Sequence, residues 1–162
     1  NMSARVGIGY DVHKFSKGRR LFLGGVQVPY EFGLEGHSDA DVVLHAVCDA
    51  ILGALGQGDI GEHFPNTDPK YKDISSLELL KVVMGLVQKE KYVVSNVDAV
   101  ILAEEPNLKH FKSIMSENIS RVLGIDVRCA NIKATTSEGM GFVGRREGIA
   151  CYATALLTQS DT

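Results

Sequence analysis

No apolar run in the 162 residues approaches the roughly 20 residues that a membrane-spanning helix needs, and no secretory signal pattern opens the chain. The expectation is a cytoplasmic protein with no membrane association. Cysteine is scarce: Cys48, Cys129 and Cys151 make an odd set without CxxC spacing. That argues against a disulfide frame or a thiolate zinc site and predicts buried thiols in a reducing compartment. Positive charge is scattered and the net charge is −3, so a basic footprint for nucleic acid is not expected. If the ligand is phosphorylated, metals, hydroxyls and backbone amides must do most of the neutralising. The chain has no GxxxxGK[ST] P-loop and no GxSxG elbow, and Gly7-x-Gly9 lacks the third glycine of the dinucleotide fingerprint. Internal repeats, low-complexity segments and linkers are missing too. Length and an ordinary hydrophobic fraction of 44% fit one domain over residues 1–162 with a sizeable core. Residues 1–4 and 159–162 are expected to fray, and Asn1 ahead of Met2 reads as a remnant of cloning.

What the chain does have is one organising stretch, His37-Ser-Asp-Ala-Asp-Val-Val-Leu-His45. Ser38 with Asp41 three residues later is a capping-box pattern, which predicts a helix starting near Asp39 and fading at Gly53 to Gly58. Val42, Val43, Ala46, Val47, Ala50, Ile51 and Leu55 supply its apolar stripe. Asp41, His45 and Asp49 share one ionisable face, which alone reads as a solvated surface. Arg5 to Asp11 is a strand whose two glycines predict a close approach to its backbone. Leu21 to Leu23 and Val26 to Val28 form a small hairpin around Gly24-Gly25, and Pro29 to Gly36 leads into the helix. Gly58 to Pro69 is a long turn-rich loop, and a second helix starts at Ser76 and runs to about Lys89. Val93 to Glu104 and Ala130 to Thr135 alternate as strands. Pro106 suits the first turn of a third helix that Gly124 stops, and Ile149 to Leu157 is ambiguous between strand and helix. The fold class is α+β: a mixed, four-stranded type of sheet with helices on one face, plus the hairpin.

Asp11 and His13, at a spacing of two in extended chain, point the same way. With His45 they make a His₂-carboxylate set that suits zinc and leaves a coordination position open. His37, just ahead of the helix, could meet an anion. It lies about two turns, roughly 9–12 Å, before His45, so one phosphate does not span both but a diphosphate does. Thr135-Thr136-Ser137-Glu138 offers hydroxyls for phosphate and a carboxylate for a hard cation, although an ordinary polar turn reads equally well. Asp59 and Asp68 could bind sugar hydroxyls, and His63 and His110 are expected to face solvent.

Nearly the whole chain, Arg5 to Leu157, resembles the 2-C-methyl-D-erythritol 2,4-cyclodiphosphate synthases of the non-mevalonate isoprenoid pathway. The resemblance rests on Gly7-x-Gly9-x-Asp11-x-His13, Ser38-Asp-Ala-Asp-Val-x-x-His45-x-x-x-Asp49-Ala, Gly58-Asp-Ile-Gly61 with Phe64-Pro-x-Thr-Asp68, and Lys133-Ala-Thr-Thr-x-Glu138 through Gly141-Phe-x-Gly-Arg145. It implies a lyase closing a cyclic diphosphate with release of CMP. Asp11, His13 and His45 would hold one zinc per subunit, and Glu138 a second divalent ion, magnesium or manganese, that arrives with substrate. His37 and Thr136 would stabilise the transition state, with Ser38 beside them at the phosphate. Asp59, Ile60 and Gly61 would meet the methylerythritol part, and Phe64, Pro65, Asn66, Thr67 and Asp68, with Phe142 and Arg145, are counted among the substrate contacts. Ala103, Glu104, Glu105, Pro106, Asn107, Leu108 and Lys109, with Thr135, Thr136, Ser137 and Glu138, would form a cytidine pocket on a neighbouring subunit. The resemblance further implies a homotrimer with sites between subunits. Tyr10, Arg145 and Glu147 would lie near a central cavity where some members bind isoprenoid diphosphates. Three positions depart from the family pattern: Ala40, expected in helical backbone, and Arg146 stand where glycine is usual, and Asn107 where lysine is common. A zinc phosphoester hydrolase, or a non-catalytic trimeric module with a structural metal, are the alternative readings.

Overall fold

The computed structural model describes residues 3–161. The supposed remnant at Asn1, and the outermost expected frayed positions, lie outside the described residues. Within them, strand β1 (Ala4–Lys17) is far longer than its apolar start predicts and carries Asp11 and His13 in its middle. The hairpin forms as expected from β2 (Leu21–Leu23) and β3 (Val26–Val28). A short strand, β4 (Phe32–Leu34), follows where only a lead-in was expected. Helices α1 (Val42–Leu55), α2 (Ile60–His63), α3 (Ser76–Lys89), α4 (Lys112–Leu123) and α5 (Gly141–Gly144) alternate with strands β5 (Tyr92–Leu102), β6 (Ala130–Thr135) and β7 (Gly148–Gln159).

The sheet has five strands in the order β4-β1-β7-β5-β6, not four. Among the described residues only β5 and β6 pair in parallel, and α4 lies in the crossover that parallel pairing requires. The apolar run 149–157 is a strand because it sits between two long partners, β1 and β5, with its alternate side chains turned to the helices. Ala4 pairs with Thr158 and Gln159 with Tyr92, so strand pairing reaches into both stretches expected to fray. Among the described residues no helix is long and apolar enough to cross a membrane.

The glycines of β1 explain how α1 sits. Gly7 lies opposite Ala155 and Gly9 opposite Ala153 in the register, giving a floor of small residues. The small face of α1, Ala46, Ala50 and Ala54, rests directly on it: a Cβ on Gly9 would fall 2.0 Å from the Ala46 carbonyl oxygen. Thus α1 packs across β1 and β7, α3 lies beside α1, and α4 covers β6. The opposite face of the sheet presents exposed Val6, Ile8, Tyr10, Val12 and Tyr152.

The start of α1 differs from the capping-box expectation. The cap is Asp41, not Ser38: Asp41 Oδ1 accepts from the N–H groups of Val43 (3.1 Å) and Leu44 (3.0 Å). The same carboxylate also accepts from Gly24 N (2.9 Å) and Gly25 N (2.8 Å), tying the hairpin to the helix. Ala40 is not helical but left-handed, with φ 58°, which forces the turn before the helix and costs an alanine about 1–2 kcal/mol. Pro106 likewise lies in a loop ahead of α4, where Asn107 Oδ1 accepts from Lys109 N at 2.9 Å.

Candidate metal centre and neighbouring cavities

Strand alternation places Asp11 and His13 on the α1 side of β1, and α1 delivers His45 to the same point. The Asp11 Oδ2 atom lies 3.0 Å from His13 Nε2 and 3.0 Å from His45 Nδ1. One donor atom from each of the three residues falls within 4.8 Å of the others. The remaining ring nitrogens are engaged elsewhere. His13 Nδ1 meets the Glu35 carbonyl at 2.6 Å, and His45 Nε2 lies 2.9 Å from Ser76 Oγ and 3.2 Å from Ser38 Oγ. A carbonyl can only accept, so His13 carries its proton on Nδ1 and offers Nε2. Two imidazole nitrogens and a carboxylate oxygen converging in this way fit a divalent cation such as zinc with a position to spare.

Burial opposes the charge on Asp11, but hydrogen bonds from His13 and His45 and their positive charge outweigh it and lower its carboxyl to about 2. His13 is correspondingly raised: burial works against its cation, while the bond and charge of Asp11 win. The other members of the ionisable face of α1 are not a solvated surface. Asp41 is fully buried in its cap, and Asp49 Oδ1 accepts from Ile60 N at 2.8 Å, anchoring α2 to α1.

Around the cluster lies a cavity of about 190 Å³ lined by Asp11, His13, His37, Ser38 and His45, with Ile60, Gly61, Phe64 and Asn66 opposite. Gly36, Tyr71 and Leu79 complete it, none of them singled out from sequence. His37 Nε2 meets the Asp68 carbonyl at 3.0 Å. Asp59 caps α2 and Asp68 caps the turn Pro69–Tyr71, so both aspartates act as local backbone acceptors here. Pro65 and Thr67 are exposed beside this loop. His110 is exposed as expected, whereas His63 is half-buried with Nε2 2.8 Å from the Gln57 carbonyl.

The rest of the expected site is elsewhere. A second cavity, about 260 Å³, is lined by Ala103, Glu104, Pro106, Asn107, Leu108, Lys109, Thr135 and Thr136, joined by Lys112 and Ala134. Ser137 N donates to Glu104 Oε1 at 2.5 Å, closing one wall. Glu105 turns away, receiving the Tyr30 hydroxyl at 3.3 Å and facing Arg146 at 3.5 Å. Glu138 is exposed, with left-handed φ 55°, and its N–H donates to Thr136 Oγ1 at 3.3 Å. Arg145 pairs with Glu147 at 2.5 Å, and Phe142 is exposed on α5. His37 and Thr136, expected to act together, therefore line different cavities of the single chain. Each cavity is smaller than the roughly 300–1,000 Å³ usual for a ligand site.

Residues 4–158 match the YgbB family. A 2-C-methyl-D-erythritol 2,4-cyclodiphosphate synthase of Geotalea daltonii is 58% identical over 153 residues, 94% of this chain and 90% of that protein. The synthase of Syntrophomonas wolfei is 54% identical over 156 residues, covering 96% and 99%. Among solved structures, the bifunctional IspDF from Campylobacter jejuni superposes with TM-score 0.95 at 44% identity, covering 99% of this chain and 44% of that one. IspF of Plasmodium falciparum, in complex with CDP, superposes with TM-score 0.86 at 34% identity over 98% of both chains.

Proposed function

We propose a division of labour among residues from one premise: the chain belongs to the YgbB family, as a 2-C-methyl-D-erythritol 2,4-cyclodiphosphate synthase of the non-mevalonate isoprenoid pathway. The reaction takes 4-diphosphocytidyl-2-C-methyl-D-erythritol 2-phosphate. An oxygen of the 2-phosphate attacks the β-phosphorus, the bond from that phosphorus to the α-phosphate oxygen breaks, and CMP leaves. The nucleophile is already an anion, so positioning and charge compensation carry most of the catalysis.

Asp11, His13 and His45 would hold zinc, which as a Lewis acid neutralises and polarises phosphate oxygens. His37 and Ser38, at the same cavity, bind and orient the diphosphate, and His37 with Thr136 holds charge as it develops. Asp59, Ile60 and Gly61 receive the methylerythritol. Backbone and side chains of Ala103 to Lys109, with Thr135 to Glu138, enclose the cytidine, and Glu138 would hold a magnesium or manganese ion, which would supply further charge neutralisation. The bound CDP of the Plasmodium falciparum relative supports the nucleotide part of this reading.

One observation carries the assembly: His37 and Thr136 line separate cavities. We infer a homotrimer in which the metal half of one subunit meets the cytidine half of the next. The exposed Val6, Ile8, Tyr10, Val12 and Tyr152 face supplies the apolar surface for it. Arg145 and Glu147 then stand near the shared axis, where an isoprenoid diphosphate would fit a central cavity. The test is complementation. His37→Ala and Thr136→Ala chains, each nearly inactive alone, are refolded together and CMP release is measured. Random assembly should restore roughly a quarter of parental turnover, since a quarter of the shared sites then combine two intact halves. A mixture as inactive as its parts refutes the shared site.

A further inference from the structure

We propose that Ser76 and Asp39 are positioning residues for the metal: together they fix the proton of His45 on Nε2, so that Nδ1 faces the cation as a bare donor. The inference rests on the metal reading of Asp11, His13 and His45. Ser76, the first residue of α3, is fully buried, and its Oγ lies 2.9 Å from His45 Nε2. The Ser76 hydroxyl donates to Asp39 Oδ1 at 2.5 Å, and the Ser76 backbone N–H donates to Asp39 Oδ2 at 2.9 Å.

The direction of these bonds is forced. A backbone N–H only donates, and a carboxylate only accepts, so the hydroxyl proton must point at Asp39. What Ser76 Oγ has left for His45 is a lone pair, and Nε2 must carry the hydrogen that fills it. The neutral ring then keeps its second lone pair on Nδ1, the atom 3.0 Å from Asp11 Oδ2. His13 achieves the mirror arrangement with a carbonyl, that of Glu35. Ser38 also approaches His45 Nε2, at the longer 3.2 Å, while accepting from Ala40 N at 3.3 Å. Ser76 therefore leaves Ser38 free to turn toward a phosphate oxygen without releasing the ring. Outer partners of this kind orient a ligating imidazole and set its tautomer.

The test is zinc affinity, by competition with a chromophoric chelator, with circular dichroism and melting temperature recorded for each variant. Ser76→Ala should bind zinc 10–100-fold more weakly, the usual effect of losing an outer partner. Asp39→Asn is the sharper variant because its shape is unchanged. Asp39 Oδ1 also accepts from Asp41 N at 3.1 Å, so an amide oxygen can serve only one of the two backbone N–H groups; with that oxygen on the Ser76 N–H, the NH₂ donates to Ser76 Oγ. The hydroxyl then turns its proton onto Nε2, and Nδ1 takes up hydrogen. Asp39→Asn should thus weaken zinc at least as much as Ser76→Ala. In the Ser76→Ala background it should add less than about twofold, because the relay is already broken. Nitrogen NMR of the zinc-loaded parent should show His45 protonated at Nε2. Ser76→Ala binding zinc within about threefold of the parent, whatever its melting temperature, overturns the proposal. So does a full, undiminished effect of Asp39→Asn in the double variant, which would mean that charge alone acts. Failure of the site itself looks different: the parent would take up no zinc, or His45→Ala would bind it as well as the parent.

Discussion

Replacing Gly9 by alanine adds a single methyl group that touches no expected ligand, yet it should disable the metal centre. The added Cβ would stand 2.0 Å from the Ala46 carbonyl oxygen and 2.9 Å from Ala50 N, where contacts under 3.0 Å essentially never occur. Helix α1 must therefore move off β1 by about 1 Å, and neither side can yield by changing a rotamer because both are backbone. Overpacking of this kind costs about 1–3 kcal/mol, and here the upper end applies. At roughly 2–4 °C per kcal/mol for a chain this size, the melting temperature should fall by about 6–12 °C. The functional consequence follows from where the strain falls. Gly9 precedes Asp11 and His13 on the same strand, and Ala46 follows His45 on the helix, so lifting α1 carries His45 away from Asp11. A misplacement near 1 Å can cost about 10²-fold in turnover. Gly7→Ala is the control: its Cβ would meet the Ala50 oxygen, one helical turn farther along α1 from the site. It should lose comparable stability and less zinc affinity. Calorimetry and zinc titration of both variants decide the matter. Gly9→Ala with parental zinc affinity and a melting temperature within about 1 °C of the parent would refute the reasoning.

Three further outcomes are expected. Zinc affinity should fall as pH drops, beginning above His13's ordinary value of 6.5, because Asp11 raises the pKa of that imidazole and zinc needs it deprotonated. Asp11, held at about 2, stays ionised throughout, so among the ligands only imidazole takes up protons between roughly pH 5 and 8, and a flat chelator-competition profile would contradict this. Cys48 and Cys151 are buried, and burial pushes both thiols well above their usual range, so only half-buried Cys129 should react quickly with an alkylating reagent at pH 8. Ile8→Asp, on the bare sheet face, should give a monomer by light scattering that keeps parental zinc affinity but loses turnover, and an active monomer would count against the shared site.

The sequence made the metal cluster legible because each ligand lay on a strongly periodic element. Two residues on a strand point one way, and a histidine on an amphipathic helix has a definite face. Elsewhere tertiary contacts overrode local rules. Ser38 and Asp41 form a capping pattern, but Asp41 takes the cap because its carboxylate also closes the hairpin through Gly24 and Gly25. The run at β7 has no decisive period and becomes a strand only through its partners β1 and β5. Strand β4 is too short, at three residues, to leave a pattern. Pro106 carries a helix-start signal that the loop around Asn107 does not use. Ser76 was invisible as a partner of His45, since it reaches the ring from a separate segment, α3, with Asp39 behind it. The separation of His37 from Thr136 was implied only by the family resemblance, since spacing along one chain does not say which cavity a residue enters.

Strand β1 links the proposed assembly to the proposed chemistry. Its odd positions face inward: Gly7 and Gly9 seat α1, then Asp11 and His13 meet the histidine that α1 brings. Its even positions, Val6, Ile8, Tyr10 and Val12, form the exposed apolar row on the other side. A pleat of period two cannot shift one set without shifting the other. In the proposed trimer, burying the even row against a neighbour therefore also sets the distance between the metal ligands and that neighbour's Thr136. On this proposal the metal could be bound by one chain alone, because all three candidate ligands belong to it, whereas the cytidine half would come from a neighbour. This predicts that metal binding and subunit association are separable steps, while turnover requires both.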